Sequence, residues 1–311
     1  MNTTVVICSV HRPEILSETV DSLIRRQSLP PREIIISVVN QEHVTEKTRA
    51  YPTVRVVTGS RQGTCVQRNV AAKLVRTPYT LFLDDDVELA SNYIESMEHL
   101  LYENEVAVAA TGFLVVDGAK GDLGLDREMA RSYVLNYVRK QDNYDHENGQ
   151  NLFVRTQVFH HVLFDENLPL YGWLEDLDFA SNILRYGRIV MNAGTCWAHI
   201  GAPSGRTSGL RYGYSQIVNP FYLWKKNRKP GMHRVIFEHW LRYLASNGRR
   251  ALINLRSDST DSAGRLTGNI IALGHILTGR VDPTYILHLS RPSDGRSLPV
   301  AVRASPASRR I

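Results

Sequence analysis

Short apolar runs alternate with helix-patterned segments over the first 115 residues, and that alternation decides the fold class. Residues 4–10, 33–39, 53–58, 79–83 and 106–116 are rich in Val, Ile and Leu and lack a regular polar alternation. Strands of that composition are buried on both faces, as in a sheet covered by helices. Between them, residues 13–27, 44–50, 64–75 and 91–103 place apolar side chains at helical spacing. Pro13 and Glu14 suit a first helical turn, because proline has no N–H to satisfy there and an acid complements the helix dipole. The β-α-β-α order predicts an α/β protein with a doubly wound, mostly parallel, Rossmann-like sheet.

Past Asp117 the pattern loosens. Residues 118–124 read as a loop, 126–139 as a helix and 141–149 as a polar connection rich in Asn and Asp. Strand-like runs return at 152–154, 188–191 and 196–199, around a helix at 174–186. Residues 210–226 are helical and aromatic-rich, a basic helix follows, and 270–277 form a short apolar helix. From about Arg291 the chain is rich in Ser, Pro and Arg, a composition that stays disordered.

Composition narrows the class without naming a chemistry. The fractions of apolar (43%) and charged (22%) residues are those of a globular protein, and no apolar run reaches the ~18 residues that span a bilayer. The first apolar run is too short for a secretory core and reads as a strand. Cys8, Cys65 and Cys196 are widely spaced, without a C-x-x-C pair, which suits a reducing cytosol and argues against a disulfide framework or structural zinc. The net charge of +6 is uneven: from Lys225 to Arg256 nine Lys or Arg face one acid, Glu238, with Phe237, Trp240 and Leu241 interleaved. A basic amphipathic helix of this kind lies on an anionic membrane surface or forms a solvated face of a packed helix. No nucleic-acid module accompanies it.

The chemistry concentrates in Asp84-Asp85-Asp86, which ends the apolar stretch from Tyr79 to Leu83. Two unit charges about 4 Å apart repel by roughly 4 kcal/mol at an effective dielectric near 20. A divalent cation relieves that repulsion and prepares the cluster for phosphate oxygens. Ligands of open α/β sheets bind at the carboxyl ends of strands, which is where this triplet falls.

Three further segments accompany it in order: Ser9-Val10-His11-Arg12-Pro13, Gly63 through Asn69, and Gly172-Trp173-Leu174-Glu175-Asp176-Leu177-Asp178. Together the four resemble the GT-A-fold glycosyltransferases of family 2, inverting enzymes that use nucleotide-diphospho-sugars, over roughly residues 3–200. The resemblance implies a catalytic domain at 1–205, with a nucleotide-binding half at 1–116 and an acceptor-binding half at 117–205. A helical C-terminal extension at 206–290 and a disordered tail at 291–311 follow. It further implies that Asp86 holds Mn²⁺ or Mg²⁺ with His199 as a further ligand, that Asp85 touches the ribose and that Asp84 is structural or faces the donor. Ser9 and His11 would border the nucleoside and Arg68 the donor. Asn40 stands where the family usually has the aspartate that reads a uracil edge, and its amide can still donate and accept. Asp176, paired with Glu175, would be the base that takes the acceptor proton, and Trp173 would stack on a sugar. The helix start there favours ionised acids, and Asp178 reads as structural.

The implied activity is transfer of one sugar, UDP-linked, to a hydroxyl acceptor in bacterial surface-polysaccharide or lipid-linked oligosaccharide synthesis. The protein would be cytoplasmic or peripheral on the inner membrane face. A non-catalytic sugar-nucleotide binder on the same fold is the main alternative. HAD-type phosphohydrolases also place Asp-x-Asp after a strand, but usually on the first strand and with Thr or Val where this chain has Glu88.

Overall fold

The computed structural model describes residues 1–59, 61–120, 124–139, 142–145, 151–204, 207–227, 232–253 and 261–289. The first half runs β1 (Thr3–Cys8), α1 (Pro13–Arg26), β2 (Glu33–Val38), α2 (Glu46–Arg49), β3 (Val54–Thr58), α3 (Thr64–Ala72) and β4 (Tyr79–Asp84). Then come β5 (Val87–Leu89), α4 (Tyr93–Glu103), β6 (Ala107–Asp117), α5 (Arg127–Leu135), β7 (Tyr144–Asp145), β8 (Phe153–Arg155), α6 (Glu175–Ile183) and β9 (Arg188–His199). Helices α7 (Gly209–Asn227), α8 (Met232–Ile253) and α9 (Ser262–Leu277) follow.

The strands form one sheet in the order β3-β2-β1-β4-β8-β6-β9-β5, with β7 paired to β9. The long pairings, β1 with β2 and β4, β2 with β3, and β6 with β9, are parallel. The antiparallel pairings of β8, β5 and β7 are short. Neighbouring strand residues point to opposite faces, and here both faces are dry. Val5, Ile7, Ile34, Ile36, Leu81 and Leu83 pack with α1 and α4, while Val6, Ile35 and Phe82 pack with α3 and α6. Each such side chain contributes about 1.5–3 kcal/mol by leaving water, and this double burial is why the strands lack polar alternation.

Register then positions the chemistry. Cys8 pairs with Asp84, so β1 and β4 end side by side and residues 9–12 lie against 84–86.

Four expectations need adjustment. Residues 188–199 form one strand rather than two, because β6 shifts register beside Asn192–Thr195 and the extended backbone continues through that irregularity. Residues 118–120 form a 3₁₀ turn within the expected loop. Helix α9 begins at Ser262, capped by the Asp261 carboxylate on the Gly264 N–H, well before residue 270. The basic segment from Lys225 is shared between two described helices: its first residues lie in α7, to Asn227, and the rest in α8, from Met232. The tail at 291–311 lies outside the described residues. Among those residues, no helix is long and apolar enough to cross a membrane.

Candidate active site

The three aspartates at the end of β4 face three environments. Asp85 is buried, with Oδ2 accepting from Ser9 at 2.5 Å and Oδ1 3.2 Å from the Arg12 guanidinium. Its backbone carbonyl accepts from Thr19 of α1 at 2.6 Å. Burial pushes its carboxyl up to about 7, against the opposing charge of Arg12. Asp86 is also buried, 3.1 Å from Arg12 and 3.4 Å from His199 Nε2. Gly201, at φ +68, turns the chain after β9 so that the Ala202 N–H reaches Asp86 Oδ2 at 2.9 Å. Burial alone would raise the Asp86 carboxyl, but His199, Arg12 and that N–H together hold it below the usual range. Asp84 is half-exposed and meets Arg68 at 3.3 Å.

His199 sits at the end of β9, with Nδ1 2.8 Å from Asp117 at the end of β6. Burial disfavours its charge, yet Asp117 and Asp86 outweigh that and push its pKa up to about 10. Among the described residues no cluster of three or more His, Cys, Asp or Glu side chains is arranged to hold a metal. Asp86 and His199 are a pair of possible donors 3.4 Å apart, with Asp117 on the other ring nitrogen of His199.

The second acidic cluster is on a strained loop. Leu170, Gly172 and Leu174 all have positive φ, and the Gly172 carbonyl accepts from the Glu175 N–H at 2.7 Å as α6 begins. The loop is pinned to the start of α3 by Thr64 N–H donating to Leu170 O at 2.8 Å. Glu175 is buried; one oxygen pairs with Arg68 and the other, Oε2, has no partner. Burial raises its pKa to about 8, opposed by Arg68. Asp176 is half-buried and accepts from the Leu177 N–H at 2.9 Å. Its pKa is also raised, because desolvation outweighs the helix-end N–H and the Arg68 charge. The helix start was expected to favour ionised acids, and burial reverses that effect. Asp178 is structural as expected: it anchors Lys226 at 2.8 Å and Asn227 at 3.0 Å, joining α6 to α7.

Arg68 links the two clusters. Its guanidinium, 11% exposed, touches Asp84 with Nη2 and Glu175 with Nη1. It also lies 5.2 Å over the Phe164 ring, so it is fixed rather than swinging in solvent. Asn69 next to it holds Phe164 through both backbone groups, at 2.9 Å each, and so sets the loop that carries that ring.

The nucleoside-side residues are less tightly gathered. His11, at φ +59, lies 4.2 Å ring to ring from His43. Asn40 caps the turn at 41–43, accepting from Glu42 N–H at 3.1 Å and donating to its carboxylate. One amide hydrogen and one lone pair remain. Trp173 contacts Tyr171, Tyr212 and Tyr243, and its indole N–H is buried without a partner. Sequence reasoning assigned no role to Arg12, Asp117 or these tyrosines. Arg12 had a signal, since it stands between β1 and the first turn of α1; Asp117 and the tyrosines had none, because only tertiary packing brings them in.

The pKa of Glu175 has a consequence for stability. Its folded value of about 8 exceeds the ordinary 4.5, so the unfolded chain releases that proton first and stability falls as pH rises through this window. Asp85 acts in the same sense between 3.8 and about 7. Urea unfolding at pH 5 and pH 8 should therefore show a drop in the wild type and a smaller one in Glu175→Gln, the remainder coming from Asp85, Asp176 and His199, whose folded pKa values are raised as well. Equal drops in the two proteins would contradict the assignment.

Residues 4–165 match the model of the family described as glycosyl transferase family 2. The chain belongs to that family. Its GT-A fold also agrees with solved structures. The structure of S. aureus TarS 1-349 superposes with a TM-score of 0.55 at 14% identity, covering 93% of this chain and 87% of TarS. The TarS complex with UDP-GlcNAc gives the same TM-score at 15% identity, covering 93% of this chain and 88% of that one. GalNAc-T7, solved with UDP, GalNAc and Mn²⁺, gives 0.51 at 19% identity over 71% of this chain and 50% of that one. In sequence, the family 2 protein is 30% identical over 130 residues to a teichoic acid poly(glycerol phosphate) polymerase of Staphylococcus epidermidis, covering 39% of this chain. That match spans 17% of the polymerase's own length. Family membership replaces the phosphohydrolase alternative.

Proposed function

We propose that this protein transfers one sugar from a UDP-sugar to a hydroxyl of a cell-surface polymer or its lipid-linked precursor, with inversion at the anomeric carbon. The observation that carries the proposal is the reach of Arg68 from Asp84 to Glu175, which supports reading the acidic triplet and the acid pair as two walls of one site. The polymerase similarity and the TarS likeness support the acceptor class, and the UDP-bound neighbours support the donor.

Asp176 is the base that takes the acceptor proton. Burial raises its pKa, which strengthens it as a base. Glu175, its pKa raised by burial against the Arg68 charge, holds Arg68 with one oxygen, leaving Oε2 to hydrogen-bond a sugar hydroxyl. Ser9 and His11 border the nucleoside, Asn40 reads the base edge with its remaining amide groups, and Asp85 helps fix the ribose. Asp84, the exposed member of the triplet, faces the donor. Trp173 offers a ring to the acceptor.

A divalent ion, Mn²⁺ or Mg²⁺, fits the donor pair. Asp86 Oδ1 and His199 Nε2 are 3.4 Å apart, so a carboxylate oxygen and an imidazole nitrogen, both ordinary ligand types, could reach one ion. Asp86 and His199 would hold it, with His199 giving up its proton and Asp117 orienting the ring. When bound, the ion would neutralise charge growing on the departing diphosphate.

Thermal-shift screening of nucleotide-sugars with and without Mn²⁺ tests the reading. UDP-sugars should raise the melting point, more so with Mn²⁺, because a ligand of the native state alone stabilises it. No shift with any nucleotide-sugar would contradict it.

The catalytic domain is 1–205, and the helices after it dock on the inner membrane face. On α8, Phe237, Leu241, Leu252 and Ile253 are exposed beside Arg242, Arg249 and Arg250, while Trp240 turns inward to Ile217 O at 3.1 Å. Apolar side chains flanked by arginines suit an anionic bilayer surface. Reversing the charge of Arg249 and Arg250 together should lower co-sedimentation with phosphatidylglycerol vesicles at least tenfold, at about 1 kcal/mol per basic residue. Unchanged partitioning would remove this face from the proposal.

A further inference from the structure

Two arginines of the chain itself offset the charge of the acidic triplet. Arg68 takes Asp84, and Arg12 takes Asp85 and Asp86 together. Arg12 Nη1 stands 3.2 Å from Asp85 Oδ1 and 3.1 Å from Asp86 Oδ2. Guanidinium charge at that distance relieves much of the repulsion among adjacent carboxylates.

The two arginines are held differently. Arg68 spreads its grip, Nη2 to Asp84 and Nη1 to Glu175, and lies over the Phe82 and Phe164 rings. Arg12 makes both of its carboxylate contacts through one nitrogen. A guanidinium binds a carboxylate most firmly with two parallel N–H groups, so this grip is the weaker kind. Among the described residues the buried Arg12 Nε has no hydrogen-bond partner, which costs free energy in this position. The Arg12 backbone, by contrast, is fixed. His11 turns the chain at φ +59 before it, and the Arg12 carbonyl accepts from the Leu16 N–H at 3.0 Å as α1 begins. The head of this side chain can therefore shift by a change of rotamer while its root stays beside the triplet.

Two cation demands meet at Asp86. Its Oδ2 takes Arg12 and the Ala202 N–H, while Oδ1 faces His199 Nε2 at 3.4 Å. An ion held by Oδ1 and His199 would share one carboxylate with the Arg12 guanidinium. Positive charges that close repel, and salt screens them little in a buried site.

We propose that Arg12 is the resident counter-cation of Asp85 and Asp86, that it competes with the divalent ion for Asp86, and that the donor's diphosphate ends the competition. This rests on the sugar-transfer reading and adds the residue that orders how its site fills. Alone, the protein holds the ion weakly. With a nucleoside diphosphate, the phosphate charge balances ion and guanidinium together, so ion binding is conditional on the nucleotide.

Manganese binding, followed by the electron paramagnetic resonance signal of the aqueous ion, tests this with and without UDP. Without UDP, Arg12→Gln should bind Mn²⁺ about tenfold more tightly than the wild type, because one positive charge has left the site. Arg12→Lys keeps that charge and should stay within about threefold of the wild type. UDP should tighten Mn²⁺ binding in the wild type, and by about tenfold less in Arg12→Gln. Adding Asp86→Asn to Arg12→Gln should abolish the gain, which locates the competition on that carboxylate. Asp85 keeps Ser9, and Asp86 keeps the Ala202 N–H and His199, so Arg12→Gln should fold. If it folds only with Mn²⁺, the ion has replaced the lost charge, as expected; a chain unfolded even then makes Arg12 structural and overturns the proposal. Equal Mn²⁺ affinity in wild type and Arg12→Gln also overturns it, as does an equal gain in Arg12→Lys or a gain that survives Asp86→Asn. In those cases UDP still binds with Mn²⁺ and only the role of Arg12 fails; if UDP binds under neither condition, the sugar-transfer reading fails with it.

Discussion

Asp176→Asn is expected to lower sugar transfer by about 10²–10⁴-fold, the usual contribution of a positioned general base. Donor affinity should stay near that of the wild type. The substitution removes a proton acceptor while sparing the contacts around it. The bond from Leu177 N–H can be made to the asparagine oxygen, and among the described residues no arginine or lysine forms an ion pair with Asp176. Stability should therefore change little. Asp178→Asn provides the contrast, because it loses charge against Lys226 and unpicks the α6–α7 joint. That variant should melt earlier, with a loss of activity that tracks its unfolding. Rates from single turnovers with UDP-sugar, alongside UDP affinity, separate the two. Turnover surviving in Asp176→Asn would put the base elsewhere.

The second large effect is expected from Asp86→Asn. Donor affinity that depends on Mn²⁺ should fall by about 10²-fold or more, since the ion–carboxylate contribution amounts to several kcal/mol. UDP affinity measured without metal should change far less. The fold has reason to tolerate the change: the Ala202 N–H keeps an oxygen acceptor, Arg12 keeps Asp85, and His199 keeps Asp117. Asp117→Asn should give a smaller loss of about 10–100-fold, because it orients His199 rather than touching the ion. Metal-dependent affinity unchanged in Asp86→Asn would remove this carboxylate from the site.

The sheet was legible because dry strands leave a plain mark: runs such as Val5-Val6-Ile7 and Ile34-Ile35-Ile36 have no polar face to alternate with. Strand β5 left no such mark. It is three residues long, and its middle residue, Glu88, is buried only because Arg127 and Arg131 of α5 neutralise it at 3.0 Å each. The join between residues 191 and 196 was read as a break because Asn192, Gly194 and Thr195 look like turn residues, whereas β6 accommodates them with a register shift.

Within the site, Asp84–Asp86 and Glu175–Asp176 stood out as local clusters. Their contact through Arg68 did not, since it joins residues 107 positions apart and one arginine on a helix has no signature of what it reaches. The direction of the Asp176 shift was likewise hidden: the sequence shows a helix start, while desolvation depends on what packs above it. Tyr212 and Tyr243 carried no signal, because α7 and α8 look like ordinary helices until their glycines and asparagines fix how they cross.

A crystal structure with UDP and Mn²⁺, recorded at an X-ray energy where manganese scatters anomalously, tests the one-site arrangement most directly. The predicted result is a manganese peak between Asp86 and His199, the diphosphate against it, and Asp176 facing the open side of the same cleft. A metal bound away from residues 84–86, or UDP seated where Asp176 and Arg68 do not border it, would contradict it.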